Sequence, residues 1–211
     1  MTITINPEDV LVVVDMQNDF LPGGSLAVAR GDEIVPLINT LAKRFTNVVF
    51  TQDWHPADHL SFASQHPEKA PFDTIELPYG TQVLWPDHCV WATHGAAISV
   101  DIDIPHAHLI LRKGYKREID SYSAFQEADR ETQTGLAGYL NEREVGRLYV
   151  VGLATDYCVG WTAIDGAAAG YDVTVIEDAT RAIDNGGSLA KAWADMAEAG
   201  VERIQSKEIL G

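Results

Sequence analysis

Residues 150–161 read Val150-Val-Gly-Leu-Ala-Thr-Asp-Tyr-Cys-Val-Gly-Trp161 (VVGLATDYCVGW), and the fold and the chemistry both turn on them. A β-branched apolar run ends at Val151, a turn of small residues follows, and Cys158 arrives as a helical pattern begins. A buried strand feeding a helix through a tight turn is half of a βαβ unit. A thiol placed at such a turn sits where open α/β sheets put their ligand crevices, beyond the carboxyl ends of the strands. The positive end of the helix also favours a thiolate there, so a lowered thiol pKa is expected at Cys158.

Working outward, the same alternation recurs. Val10–Met16 (VLVVVDM) is a continuous apolar strand ending at Asp15, and Asn47–Thr51 (NVVFT) is a second, followed by Gln52-Asp53-Trp54-His55. His108–Leu111 reads as a third strand running into Lys113, and Arg147–Val151 is the fourth. Tyr171–Ile176 and Val201–Ile204 complete six. Helices are expected over Glu33–Phe45 with Asp32 as cap, Thr134–Glu144, Cys158–Ala169 and Ser188–Ala199. The sequence therefore predicts an α/β fold of three layers: a mainly parallel six-stranded sheet with helices on both faces. One domain over residues 1–211 is expected, with an irregular insertion at about 54–105 that functions or is held by something else.

Bulk composition narrows the function. Against 31 acidic residues stand 15 Lys and Arg, a formal charge of −16, which repels phosphate backbones and anionic headgroups. Nucleic-acid and membrane-surface roles are disfavoured on that ground. The N-terminus has no basic region before its apolar run, no stretch approaches a membrane span, and a cytoplasmic protein is expected. The glycine-rich phosphate cradles of dinucleotide and P-loop enzymes are missing, as are H-E-x-x-H and C-x-x-C.

Asp15, Asp53, Lys113 and Cys158 each fall at or just beyond the end of a different strand. Any one of them alone reads more readily as a turn former, a solvated turn or a packed thiol. All four on one edge point to a shared site. Lysine stabilises a thiolate, and a carboxylate can take the thiol proton and return it to a leaving group, which is equipment for acyl transfer from an amide. Asp53 and His55, two apart on extended chain, can face one ion, with His88 a third ligand and His59, His66 and His94 as competitors. A two-His, one-carboxylate set with open positions suits Zn²⁺ or Fe²⁺.

These pieces resemble a known family along nearly the whole chain. VVDMQNDFLPGGSLAV, TQDWHPADHLSFA, WPDHCV, LRKG and VVGLATDYCV occur in order, as in the nicotinamidases within the isochorismatase-like cysteine hydrolases. The resemblance implies Cys158 as nucleophile, Asp15 as general base and acid, and Lys113 as its charged partner. It implies Asp53, His55 and His88 as ligands of one divalent metal, Zn²⁺ ahead of Fe²⁺ or Mn²⁺, with His59 open as a further ligand. It also implies a cis peptide between Leu153 and Ala154, and an oxyanion hole from the N–H groups of Ala154 and Cys158. Phe20 and Trp85 would flank a flat aromatic amide, with Tyr122 a weaker candidate. The implied reaction is conversion of nicotinamide to nicotinate and ammonia through a thioester, with pyrazinamide as a second substrate and a place in NAD salvage. Cysteine at 158 speaks against the vinyl-ether hydrolysis of isochorismatases proper, and the metal triad against ureido substrates. Cys89 is expected to pack under the metal site rather than pair with Cys158. A homo-oligomer is compatible with the sequence.

Overall fold

The computed structural model describes residues 2–211. Six parallel strands form the central sheet: β1 (Val10–Val14), β2 (Asn47–Asp53), β5 (Leu109–Lys113), β6 (Arg147–Leu153), β7 (Asp172–Arg181) and β8 (Glu202–Ile204). Their order is β5-β2-β1-β6-β7-β8. The chain builds outward from β1 through β2 to β5, then returns across the sheet to β6, so the strand order reverses between β1 and β6. Ligand crevices open where such a sheet reverses. Asp15 and Cys158 follow the two strands that flank this point.

Period-two side-chain alternation assigns each face its own core. Leu11, Val13, Val48, Phe50, Tyr149 and Val151 point to one side, against α1 (Val35–Ala42) and Ile209 of α5 (Lys207–Leu210). Val10, Val12, Val14, Val49, Leu148 and Val150 point to the other, against α2 (Leu136–Asn141), α3 (Gly160–Ala168) and α4 (Ser188–Glu198). All five residues of β1 are buried, which is why that strand reads as a continuous apolar run. The expected three layers are present.

Several boundaries differ from expectation, each for a local reason. Asp32 does not cap α1; a 3₁₀ turn spans Gly31–Ile34 and α1 starts at Val35. Pro36 has no N–H to give and is tolerated only in a helix's first turn, so the helix cannot start earlier. Helix α2 is shorter than Thr134–Glu144 because Gly135 is left-handed (φ 99°) and the Thr134 hydroxyl donates to Ala124 O at 2.5 Å. Strand β7 runs past Ile176 to Arg181 through a register shift against β6. Gly152 lies at that shift with φ 112°, where a Cβ would overlap the Val14 carbonyl, so no other residue fits. The insertion at 54–105 is mostly irregular but carries a hairpin, β3 (Thr74–Leu77) and β4 (Gly80–Val83), that sequence periodicity did not reveal. Among the described residues no helix is long and apolar enough to cross a membrane.

Candidate active site

The four strand-end residues do converge. Asp53 and Lys113 are the last residues of β2 and β5 and are paired across the ladder. Asp15 lies one residue past β1 in left-handed backbone (φ 48°), a region Asp tolerates better than most residues. Its N–H donates to Thr51 Oγ1 at 3.2 Å, and the same hydroxyl donates to Asp15 Oδ1 at 2.6 Å. The carboxylate is thereby fixed from both ends of its own residue.

Cys158 is not the first residue of a regular helix, as the sequence suggested. Thr155–Val159 forms a single π turn, in which both Tyr157 and Val159 donate to Ala154 O, and α3 follows at Gly160. The peptide between Leu153 and Ala154, just before this turn, is cis.

Lys113 is the hub. Its fully buried ammonium donates to Asp53 Oδ1, to Ser121 O at 3.0 Å and to Cys158 Sγ at 3.4 Å. It also stands 2.9 Å from Asp15 Oδ2. That last contact is ionic without an aligned hydrogen bond, so Oδ2 keeps a lone pair free. Burial works against the ammonium, yet Asp15 and Asp53 outweigh it and hold the Lys113 pKa well above its usual range. Asp53 moves the other way: burial opposes ionisation, but Lys113 and the adjacent imidazoles keep it below the ordinary carboxylate range.

The thiol departs from expectation. Burial pushes the Cys158 pKa well up, with Lys113 opposing and Asp15 and Asp53 adding to it. Burial, only partly offset by Lys113, likewise raises Asp15. Burial, with Asp15 and Asp53 adding to it, therefore works against the thiolate that the turn and Lys113 favour, and Asp15 stands beside the thiol as a group that can take its proton.

Beyond Lys113 the second group assembles. His55 Nε2 and His88 Nε2 stand 3.6 and 3.8 Å from Asp53 Oδ2. His55 Nδ1 is bonded to Gly114 O at 2.7 Å and His88 Nδ1 to Pro86 O at 2.8 Å. A carbonyl only accepts, so each Nδ1 carries a proton and each Nε2 faces the carboxylate; burial works against a charged His55, but Asp53 outweighs it and raises the His55 pKa. Burial and His55 lower the His88 pKa to about 4, leaving a neutral imidazole. Two such nitrogens and one carboxylate oxygen, buried and converging, fit a divalent cation. Gly114 itself is required: at φ 66°, a Cβ there would overlap the His55 ring.

His59 is buried 4.5 Å from the His55 ring centroid and could join it with Asp120 around an ion, whereas His66 Nε2 is occupied by Leu60 O at 2.7 Å. Phe20, Trp85 and Tyr122 all line the cavity above Cys158, with Leu26, Tyr157 and Ile183. Trp85 Nε1 donates to the Tyr122 hydroxyl at 3.0 Å and its ring meets Tyr157 edge-on at 4.8 Å. Cys89 and Cys158 are both free and buried.

Sequence reasoning passed over Gln17 and Asp120. Gln17 is fully buried; its amide accepts from Asp53 N and donates to Asp53 O, both at 2.8 Å, clamping the backbone of one residue of the candidate cation site. Asp120 lines the cavity and accepts from Gln82 Nε2 at 2.7 Å. Gln17 carried a signal, as the polar residue two past Asp15 in a buried turn; Asp120, in a loop without periodicity, carried none.

An isochorismatase domain model matches residues 9–208. A nicotinamidase of Acinetobacter baylyi is 60% identical over 200 residues, covering 95% of this chain and 94% of the relative. One from Escherichia coli K12 is 41% identical over 199 residues, covering 92% and 93%. Among solved structures, a nicotinamidase/pyrazinamidase of Acinetobacter baumanii superposes with a TM-score of 0.95 at 58% identity, over 96% of this chain and 98% of that one. Yeast nicotinamidase bound to the inhibitor nicotinaldehyde gives 0.86 at 35% identity, over 93% and 99%. The pyrazinamidase of Pyrococcus horikoshii in complex with zinc gives 0.78 at 34%, over 94% and 99%.

Proposed function

The chain belongs to the isochorismatase domain family, and within it we propose a nicotinamidase that hydrolyses nicotinamide to nicotinate and ammonia. One observation carries the reading: a thiol, a carboxylate with a free lone pair and a charged lysine meet under an aromatic-walled cavity, beside a cation site. A flat ring with a carboxamide and a ring nitrogen would use every part of it.

The residues divide the work as follows. Cys158 Sγ attacks the carboxamide carbon as Asp15 Oδ2 takes the thiol proton. The N–H groups of Ala154 and Cys158 hold the carbonyl oxygen as it gains charge. Asp15 then passes its proton to the amide nitrogen, the C–N bond breaks and ammonia leaves, with the acyl group on sulfur as a thioester. A water attacks the thioester, Asp15 takes its proton, the C–S bond breaks and the thiolate recovers a proton. Lys113 stays charged throughout and balances whichever of Asp15, Asp53 and Cys158 carries negative charge. Phe20 and Trp85 flank the ring.

Asp53, His55 and His88 would hold one divalent ion, which when bound supplies a Lewis-acid anchor for the ring nitrogen. Zn²⁺ is the proposed ion, supported by the nitrogen-rich donor set and by the zinc complex of the Pyrococcus relative. Pyrazinamide, which keeps both the ring nitrogen and the carboxamide, is the proposed second substrate. The whole chain is read as one catalytic domain in which residues 54–105 supply metal ligands and a cavity wall. A cytoplasmic setting, with a place in NAD salvage, suits two free cysteines and the acidic surface. The test is ammonia release from nicotinamide, with elemental analysis of the purified protein and N-carbamoyl substrates assayed beside it. Turnover of the carbamoyl compounds alone would replace this reading with that of a ureido hydrolase.

A further inference from the structure

Between β7 and α4 the chain passes through residues 182–187, which belong to no helix or strand, and Ile183 in this segment is a wall of the substrate cavity. At its far end Gly186 and Gly187 are exposed and both left-handed, at φ 62° and 88°. A single carboxylate fixes it. Asp156 Oδ1 accepts the Ile183 N–H at 3.1 Å, and Oδ2 accepts the Asp184 N–H at 2.8 Å and the Ser188 hydroxyl at 2.5 Å. Asp156 is 6% exposed and has no cationic partner among the described residues, so these three donors are what compensate its burial.

Asp156 also belongs to the π turn, two residues before Cys158. The carboxylate that holds the cavity wall is therefore rooted in the turn that presents the nucleophile. Sulfur must meet the carboxamide carbon within a narrow range of distance and angle, so a wall indexed to that turn constrains the ring where it matters.

We propose that Asp156 is a positioning residue for this hydrolysis, holding Ile183 against the substrate ring in fixed register with Cys158. The inference rests on the nicotinamidase reading, but its contacts can be tested apart from it. Asn at 156 keeps one acceptor oxygen and turns an NH₂ toward a backbone N–H, which releases part of the segment.

The experiment compares wild type, Asp156→Asn, Ile183→Ala and the double variant in steady-state ammonia release from nicotinamide. In parallel, alkylation of Cys158 by iodoacetamide is followed by mass spectrometry. Asp156→Asn is expected to raise KM about tenfold with a smaller fall in kcat, the scale of one hydrogen bond to a charged acceptor. Because both single variants remove the same wall, the double variant is expected to be no worse than the weaker binder of the two. Alkylation is expected to be faster in all three variants. Unchanged KM in Asp156→Asn, even with a lowered Tm, or fully additive losses in the double variant, would overturn the proposal. If wild type releases no ammonia from nicotinamide, the substrate reading falls, and the alkylation rates still decide the positioning role: equal rates overturn it. Ser188→Ala removes one of the three donors and serves if Asp156→Asn does not fold; it is expected to shift KM two- to threefold in the same direction, about the scale of a weaker neutral bond, and no shift overturns the proposal.

Discussion

Two regions build this site by opposite means. At the sheet edge, Asp15, Asp53, Lys113 and Cys158 are delivered by four neighbouring strands whose parallel register sets their spacing. In the insertion, His55 and His88 are delivered by chain tied down at isolated points. A one-residue bridge joins His55 to Val90, another joins Phe62 to Trp85, and Gln17 and Gln52 both donate to Ala96 O, at 2.9 and 2.8 Å. Four of the nine non-glycine residues at positive φ (Glu68, Phe72, Cys89 and Ala92) lie in this insertion. Repetition positions the groups proposed to react, and individual contacts position those proposed to receive the substrate. Perturbing the first should therefore change chemistry within an intact fold, whereas perturbing the second should change binding and local order together.

The largest effect belongs to Cys158. Cys158→Ala removes the nucleophile without leaving a buried charge, so ammonia release should fall on the order of 10⁴-fold or more. Thermal unfolding should be nearly unchanged; retained turnover would break the assignment of chemistry to the sheet edge. Asp15→Asn follows, with a loss of about 10²–10⁴-fold in kcat. Its pH behaviour sharpens the point. Burial, against the opposing pull of Lys113, raises the Asp15 pKa above its ordinary 3.8, and the base form is the ionised one. Activity in wild type should climb with pH along an acid limb displaced upward from ordinary carboxylates. The folded protein holds this proton to higher pH than the unfolded chain, so the contribution of Asp15 to stability is greatest below the unfolded pKa. It declines as pH rises toward the folded pKa. Urea titrations across that window should show the slope in wild type and lose it in Asp15→Asn.

The same contrast decides which parts of the site are legible in the sequence. A buried parallel strand announces itself by its apolar run, and the polar residues that follow mark its end, so Asp15, Asp53 and Lys113 stand out as lying at or just beyond strand ends from the residue pattern alone. His55 comes with Asp53 through two-residue spacing. The resemblance of WPDHCV, rather than periodicity, singles out His88 from its competitors His59, His66 and His94. The hairpin at 74–83 and the role of Asp120 are not legible, because both depend on contacts between segments with no repeat of their own. The raised thiol pKa is hidden for a related reason: the helix end is a local feature, while the burial that works against the thiolate, with Asp15 and Asp53 adding to it, comes from segments distant in sequence.

Metal removal tests the insertion directly. Dialysis against a chelator should raise KM for nicotinamide or stop turnover, and should speed amide exchange around His55 and His88 while β1 and β6 stay protected. A site filled at about 100 to 1,000 times its Kd contributes about 3–4 kcal/mol to stability, so the melting transition should fall as well. A chelated, metal-free enzyme with full activity would refute the ion's role, and uniform loss of protection across the sheet would erase the distinction between the regions. His88→Ala should reproduce the local loosening even with metal in excess.

The smallest effect is expected where the insertion meets solvent. Phe72, left-handed at φ 74° and 44% exposed, lies edge-on to Trp85 with ring centroids 5.8 Å apart. Trp85 is almost fully buried, anchored from below by Tyr157 and by its bond to the Tyr122 hydroxyl. Phe72 therefore adds one aromatic contact to a ring already held on other sides. Such a pair contributes about 0.5–1.5 kcal/mol beyond simple burial, and part of that is lost at so exposed a position. Phe72→Ala should raise KM for nicotinamide by about two- to fivefold and leave kcat alone, because in the proposed site Trp85 flanks the ring and not the reacting carbon. A fall in kcat equal to the rise in KM would mean that the hairpin side of Trp85 governs alignment at Cys158, and the division between receiving and reacting regions would fail at its outermost contact.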